Sequence, residues 1–205
     1  MKKQFFLFYF LLLFLPGCIQ KSINVQPLSR LPIASKPDFE EEQNNIFVKV
    51  KKLQPEECSE IFGINTIKCG IQPIILFIRN NSNNIIYFSP ETTALPLVAP
   101  YHVAKKCHWK NLEISGISSY LAILYQWELL IPIACCSYFM KDKNTKITDS
   151  ISQYAINSWD SIKILPSETL NKVIFVENIN CPKSFRLAIF SKDTKETINF
   201  FAQLN

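Results

Sequence analysis

Glycine is scarce in this chain: only Gly17, Gly63, Gly70 and Gly116 occur among 205 residues. So few glycines exclude the Gly-rich loops that cradle phosphates. Neither that pattern nor the G-x-S-x-G turn that exposes a serine nucleophile is present. Histidine is scarcer still. His102 and His108 stand six apart, so on one helix they diverge, whereas a zinc-binding pair sits at i and i+4. No metal site and no cofactor are expected. An excess of one charge is also missing, with 22 basic against 17 acidic side chains. A nucleic-acid binder would show a basic stripe, so no nucleic-acid partner is expected. Cys107 beside His108 comes nearest to a nucleophile and base, but adjacent helical residues do not face each other and no orienting acid can be named. No catalytic residue is assigned.

The informative stretch is N-terminal. Lys2 and Lys3 precede an uninterrupted apolar run at residues 5–15, which ends in Leu15-Pro16-Gly17-Cys18. A basic start, a short apolar core and a small residue at the end make a signal peptide over residues 1–17. The run is too short to cross a hydrocarbon layer of ~30 Å, which takes about 20 helical residues. Leu15-Pro16-Gly17-Cys18 resembles the lipobox of bacterial lipoproteins, although Pro16 departs from the Ala, Ser, Thr or Val usual there. The resemblance covers the first 18 residues. It implies cleavage before Cys18, a diacylglyceryl thioether on its sulfur and usually acylation of the new amino group. Each buried CH₂ of such lipid contributes about 0.8 kcal/mol, and two or more chains anchor stably. The expected location is therefore the cell envelope, with the membrane as a partner through Cys18. Ile19 stands where an aspartate would signal inner-membrane retention, which favours the outer membrane. Loss of residues 1–17 removes two lysines and no acid, leaving a net charge of +3.

Residues 18–44 are polar, with Pro27, Pro32, Pro37 and the run Glu40-Glu41-Glu42, and read as a lipidated, disordered tether. Residues 45–205 suit one domain. Strands are expected at 46–50, 74–78, 85–88, 161–165, 170–176, 185–190 and 197–201, and a short helix at 55–62 that starts at Pro55 and stops at Gly63. Asn80-Asn81-Ser82-Asn83-Asn84 would join two of these strands as a hairpin, its asparagines tolerating left-handed backbone. That turn also matches a glycosylation sequon, but the turn explains it without any modification. Short strands rich in β-branched and aromatic residues point to a mainly β fold, an immunoglobulin-like antiparallel β-sandwich. Into it, at about 100–157, is set an apolar helical hairpin, with helices expected at 100–109 and at 148–157, the latter presenting Ile151, Tyr154 and Ala155 on one face.

Several stretches together resemble uncharacterised envelope lipoproteins of chlamydia-type intracellular bacteria. They are Gly70-Ile71-Gln72-Pro73, Leu95-Pro96-Leu97, Val103-Ala104-Lys105-Lys106, Ile164-Leu165-Pro166 and Ile174-Phe175-Val176. The resemblance covers about half of the chain, and none of its motifs is diagnostic alone. It implies a sandwich with an apolar helical insert and carries no known activity.

Residues 117–140 hold a single charge, Glu128. One crossing of a membrane would leave half a sandwich on each side, with unpaired edges and too small a core. Two solutions remain: a hairpin packed as ordinary core, or membrane contact through Leu121, Leu124, Trp127, Leu130 and Ile133. Trp109, Trp127 and Trp159, with Tyr120, Tyr125 and Tyr138, belong to the core or to a membrane interface. Cys135-Cys136 reads as apolar packing. Cys58 and Cys69 flank one short connection and either form a disulfide or remain buried thiols. Two functional readings follow. One is a non-enzymatic envelope lipoprotein, a binding or structural module facing an unidentified envelope protein. The alternative is an enzyme or small-ligand carrier with its site between the sandwich and the helical insertion.

Overall fold

The computed structural model describes residues 37–108, 130–157 and 159–204, with the side chains of residues 130–137 and 139 excepted. The chain divides into two compact units, Met1–Asn24 with Trp109–Lys143, and Val25–His108 with Asn144–Asn205. Cys18, Leu121, Leu124 and Trp127 lie outside the described residues. Leu130 and Ile133 contribute helical backbone only. Among the described residues no helix is long and apolar enough to cross a membrane.

The second unit is mainly β. Strands β1 (Phe39–Gln43) and β2 (Ile46–Lys52) form a hairpin. Asn44 and Asn45 both take positive φ, 51° and 60°. This is the pair of left-handed residues that a two-residue turn needs to match strand twist. Residues 39–43, expected within the disordered tether, are thus an edge strand. One of its glutamates has a cross-strand partner, with Lys49 Nζ 3.3 Å from Glu40 Oε1. The acidic run looks like a solvated linker in sequence because a strand with one wet edge can carry such charge.

Strand β3 (Ile71–Asn80) lies between β2 and β6 (Thr169–Glu177), completing an antiparallel sheet of order β1-β2-β3-β6. A second antiparallel sheet has the order β5-β4-β7-β8, from β4 (Ile86–Phe88), β5 (Ile162–Ile164), β7 (Ser184–Ser191) and β8 (Thr197–Gln203). The turn between β5 and β6 has Pro166 followed by Ser167 at φ 63° and closes with Glu168 N to Leu165 O at 3.0 Å, a type II arrangement.

The expected hairpin across residues 80–84 is corrected. β3 pairs with β2 and β6, and β4 with β5 and β7, so the asparagine-rich segment carries the chain from one sheet to the other. Asn80 makes this corner. Its fully buried amide donates to Asn84 O at 2.8 Å and Ile164 O at 3.2 Å, while Oδ1 accepts from Ser82 N at 3.1 Å and Ser82 Oγ at 2.6 Å. A side chain that satisfies backbone groups from both strands replaces the ladder a hairpin would have supplied.

One hydrophobic cluster draws on both sheets, joining Val48, Leu76 and Ile174 of the first to Phe88, Ile189 and Phe200 of the second. Burial of such a side chain contributes about 1.5–3 kcal/mol. The first sheet is also buried on its other face. Ile71, Ile75, Val173 and Phe175 are fully covered, yet they stand at the alternate positions of β3 and β6. Helices cover them. Helix α1 (Pro55–Phe62) begins at a proline, is capped by Gln54 N donating to Glu57 Oε2 at 2.9 Å, and ends at Gly63 with φ 71°. It buries Cys58, Ile61 and Phe62. Helix α2 (Pro100–Cys107) buries Pro100, Val103, Ala104 and Cys107, the i, i+3, i+4, i+7 stripe of a half-buried helix. Helix α3 (Leu130–Tyr154) adds Ile147, Ile151 and Tyr154 near its end. The Phe62 ring lies 6.2 Å from that of Tyr154 and 5.6 Å from that of Phe175.

The helix expected at 148–157 is accordingly the end of a longer one that starts at Leu130 and stops at Tyr154. Ala155 leaves the helix and makes a parallel bridge with Val173, while Leu97 makes an antiparallel one with Val176. Entry and exit of the insertion are therefore both fastened to the outer edge of β6.

Candidate functional site

Residues 96–99 run along β6 before Pro100 turns the chain into α2. Val98 N donates to Phe175 O at 2.8 Å. The outer face of α2 then presents His102, Lys105 and Lys106 beside Glu177 and Trp159, around an open groove of about 650 Å³. Lys106 Nζ stands 3.1 Å from Glu177 Oε1, with both side chains about half exposed. A pair so wet contributes less than about 1 kcal/mol and orients the rim more than it stabilises it. Trp159, expected in a core or at a membrane interface, is 74% exposed in this unit. The groove combines an aromatic face with an excess of cations. Such a lining suits a flat or anionic group on a partner surface. A second, smaller depression of about 460 Å³ lies on the sheet β5-β4-β7-β8, where Tyr87, Phe190 and Lys192 line it.

His102 belongs to the groove, and its ring packs edge-on against Tyr101 with centroids 5.6 Å apart. His108 does not join it. Its Nε2 is 2.9 Å from Thr148 Oγ1, whose single proton goes to Asn144 O at 2.9 Å. The imidazole must therefore donate from Nε2, and it pins the end of α2 to α3. At Cys107-His108 the ring is engaged by Thr148 and the thiol is buried. Among the described residues no group of three or more His, Cys, Asp or Glu side chains could hold a metal ion. Glu128 and five of the six named aromatic residues lie outside the described residues or, for Tyr138, on α3 and exposed.

The thiols form the less expected constellation. Cys58, Cys69, Cys107 and Cys181 are all unbridged, so the Cys58–Cys69 disulfide is not formed. Cys58 points into the helical core, where Thr66 leans on its thiol without a regular hydrogen bond. Burial pushes this thiol up to about 11, keeping it neutral. Cys69 closes the 3-10 turn Thr66–Cys69 and is half-buried. Its sulfur contacts Asn65 O at 3.7 Å and is an electrostatic neighbour of the Cys107 thiol. Burial, with Cys69 beside it, pushes the Cys107 thiol far up as well. Sequence could not show this meeting. Cys69 and Cys107 are 38 positions apart, and only the packing of α2 on the turn brings them together. The chain matches no protein-family model, no curated protein and no solved structure.

Proposed function

We propose that this protein is an exported lipoprotein of the cell envelope, a non-enzymatic binding or structural module displayed from a membrane by lipid on Cys18. The observation that carries the reading is the basic start, the apolar run at residues 5–15 and the lipobox-like Leu15-Pro16-Gly17-Cys18. Residues 19–38 are then the tether, since β1 begins at Phe39. A tether of twenty residues would span roughly 25 Å, from 5–6 Å times the square root of their number. With Ile19 after the cysteine, the outer membrane is the favoured surface.

The displayed domain is an open β-sandwich of immunoglobulin-like kind. Taken from β2, the strands pair as first with second, second with fifth, third with fourth and sixth, and sixth with seventh. These pairings support that topology, in which Greek-key connections alternate between two sheets. The helical insertion falls between β4 and β5. Residues 37–108 and 144–204 share both sheets, because β3 pairs with β6 and β4 with β5 and β7. A single crossing by residues 117–140 would pull those strands apart, so the reading keeps both ends of that segment on one side of the membrane, with Leu121, Leu124, Trp127, Leu130 and Ile133 as the candidates for contact with a leaflet. The groove beside α2 is the face offered to an envelope protein.

Cys18→Ala tests the anchor. The wild type should incorporate radiolabelled fatty acid and sediment with membranes, and the variant should do neither. A wild type that takes up no label, with a variant that still sediments, would overturn the reading.

A further inference from the structure

Strand β8 is the last of its sheet, and two backbone contacts fix which way its polar groups point. Ser191 N donates to Glu196 O at 2.9 Å just before the strand, and Leu204 N donates to Lys183 O at 2.8 Å just after it. Both obey the register that sets Phe190 opposite Thr197 and Ser184 opposite Gln203. In an antiparallel ladder the residues that bond to the neighbouring strand alternate with residues whose N–H and C=O point the other way. The even-numbered residues from 196 to 204 therefore bond toward β7. The backbone groups of Thr197, Asn199, Phe201 and Gln203 face outward, off the edge of the sheet. β1 lies near β8 from the other sheet, yet among the described residues it makes no bridge with it. The rim is seven residues long, rich in the β-forming Thr, Ile and Phe, and carries no charge. Phe201 stands on it 69% exposed. A bare rim of this kind is what addition of a further strand requires.

We propose that β8 is a pairing surface for a second copy of this chain, the two strands lying antiparallel about a two-fold axis at Phe200 and joining two four-stranded sheets into one. The rim fits itself. A strand that overlaps its own copy over all of Thr197–Gln203 sets Thr197 opposite Gln203 and Asn199 opposite Phe201, so outward groups meet outward groups in every pair. Each such pair exchanges two hydrogen bonds, about eight in all. The two Phe201 side chains then stand on one face at diagonal positions beside the axis, with Arg186 of β7 next to each. Charge is complementary where the strands end. Leu204 falls opposite Glu196 of the second copy, which places the exposed Lys183, the neighbour of Leu204, two strand spacings or about 10 Å from that exposed glutamate, a gap their long side chains can close. Along the paired strands no charge opposes a like charge. The assembly also closes. Each copy spends its β8, and the far rim of the same sheet is the three-residue β5 with exposed Lys163 at its centre, too short and too charged to take another strand. Pairing depends neither on the lipid anchor nor on the groove beside α2.

The test uses the full chain in detergent, with micelles in large excess over protein. Sedimentation of the wild type at about 50 μM should give two chains per particle. Phe201→Pro loses an outward N–H but no bond to β7, and Phe201→Lys sets two cations beside the axis. Both should weaken association by at least about a hundredfold while the circular dichroism stays that of wild type. The contact itself is read by placing p-benzoylphenylalanine at position 201 in a mixture of isotope-labelled and unlabelled protein. Irradiation should link the peptide that follows Lys195 in one chain to the same peptide of another. A wild type with one chain per particle would overturn the proposal. So would a dimer that survives both substitutions, a link to any element other than β8, or links confined to single chains, the sign of a rim already filled by the chain's own residues.

Discussion

Replacing Asn80 by alanine removes the side chain on which the passage between the sheets depends, and its cost can be worked from four hydrogen bonds. The amide gives up two donations, to Asn84 O and Ile164 O, and Oδ1 gives up two acceptances from Ser82. Each such bond is worth about 1 kcal/mol net, and a buried carbonyl left without a donor adds to that. Neighbouring bonds do not add fully, so about 3–4 kcal/mol is expected. For a domain of this size each kcal/mol lowers Tm by about 2–4 °C, which places the fall at roughly 6–16 °C. Urea titration followed by circular dichroism should show a lower midpoint with an unchanged m-value, since the same surface is exposed on unfolding. Asn80→Asp sharpens the test. It keeps the acceptor but turns an oxygen toward two carbonyl oxygens, so it should be no better than alanine. A loss below about 1 kcal/mol in Asn80→Ala, or an aspartate variant as stable as the wild type, would refute the role given to this corner.

Two further outcomes concern the helical core. The Tyr154 hydroxyl is buried without a hydrogen-bond partner among the described residues, so Tyr154→Phe should raise stability by about 1 kcal/mol in a urea titration, and a loss of that size would reveal a partner for the hydroxyl. Cys58 ionises near 9 when free and near 11 in the fold. Because the folded state holds this proton longer, the associated stability is complete below about pH 9 and is lost as pH rises toward about 11. The reduced wild type should therefore lose about 2–3 kcal/mol more than Cys58→Ala over that interval, and parallel curves for the two would exclude it.

Much of the fold is legible where local chemistry decides it. Pro55 and Gly63 bound α1, and alternation marks β2, β7 and β8. Two errors have the same origin in pairing. The asparagines at 80–84 announce a turn, but a turn does not say whether the next strand joins the same sheet. The unbroken apolar run of β3 was the available sign, since a strand covered on both faces sits inside a layered sheet rather than at the edge of a simple hairpin. Residues 39–43 gave an acidic signal that outweighed their short alternation, and their pairing with β2 depends on the turn at Asn44-Asn45. The candidate site was the least legible part. His102, Trp159 and Glu177 come from three separate segments, and Cys69 meets Cys107 only through helix packing.

The two bridges on β6 bear on how this protein lives among copies of itself. A sheet whose outermost strand is bare invites a neighbouring chain to add its own strand, and that addition can repeat without end. Here Val98 N donates to Phe175 O at 2.8 Å and Ile156 N to Val173 O at 3.0 Å, so two outward carbonyls of that rim are spent on the chain's own backbone. At the opposite rim the glutamates of β1 repel a second copy of themselves. The sheet β1-β2-β3-β6 thus carries a guard against templated growth at each rim, the chain's own backbone on one and like charge on the other.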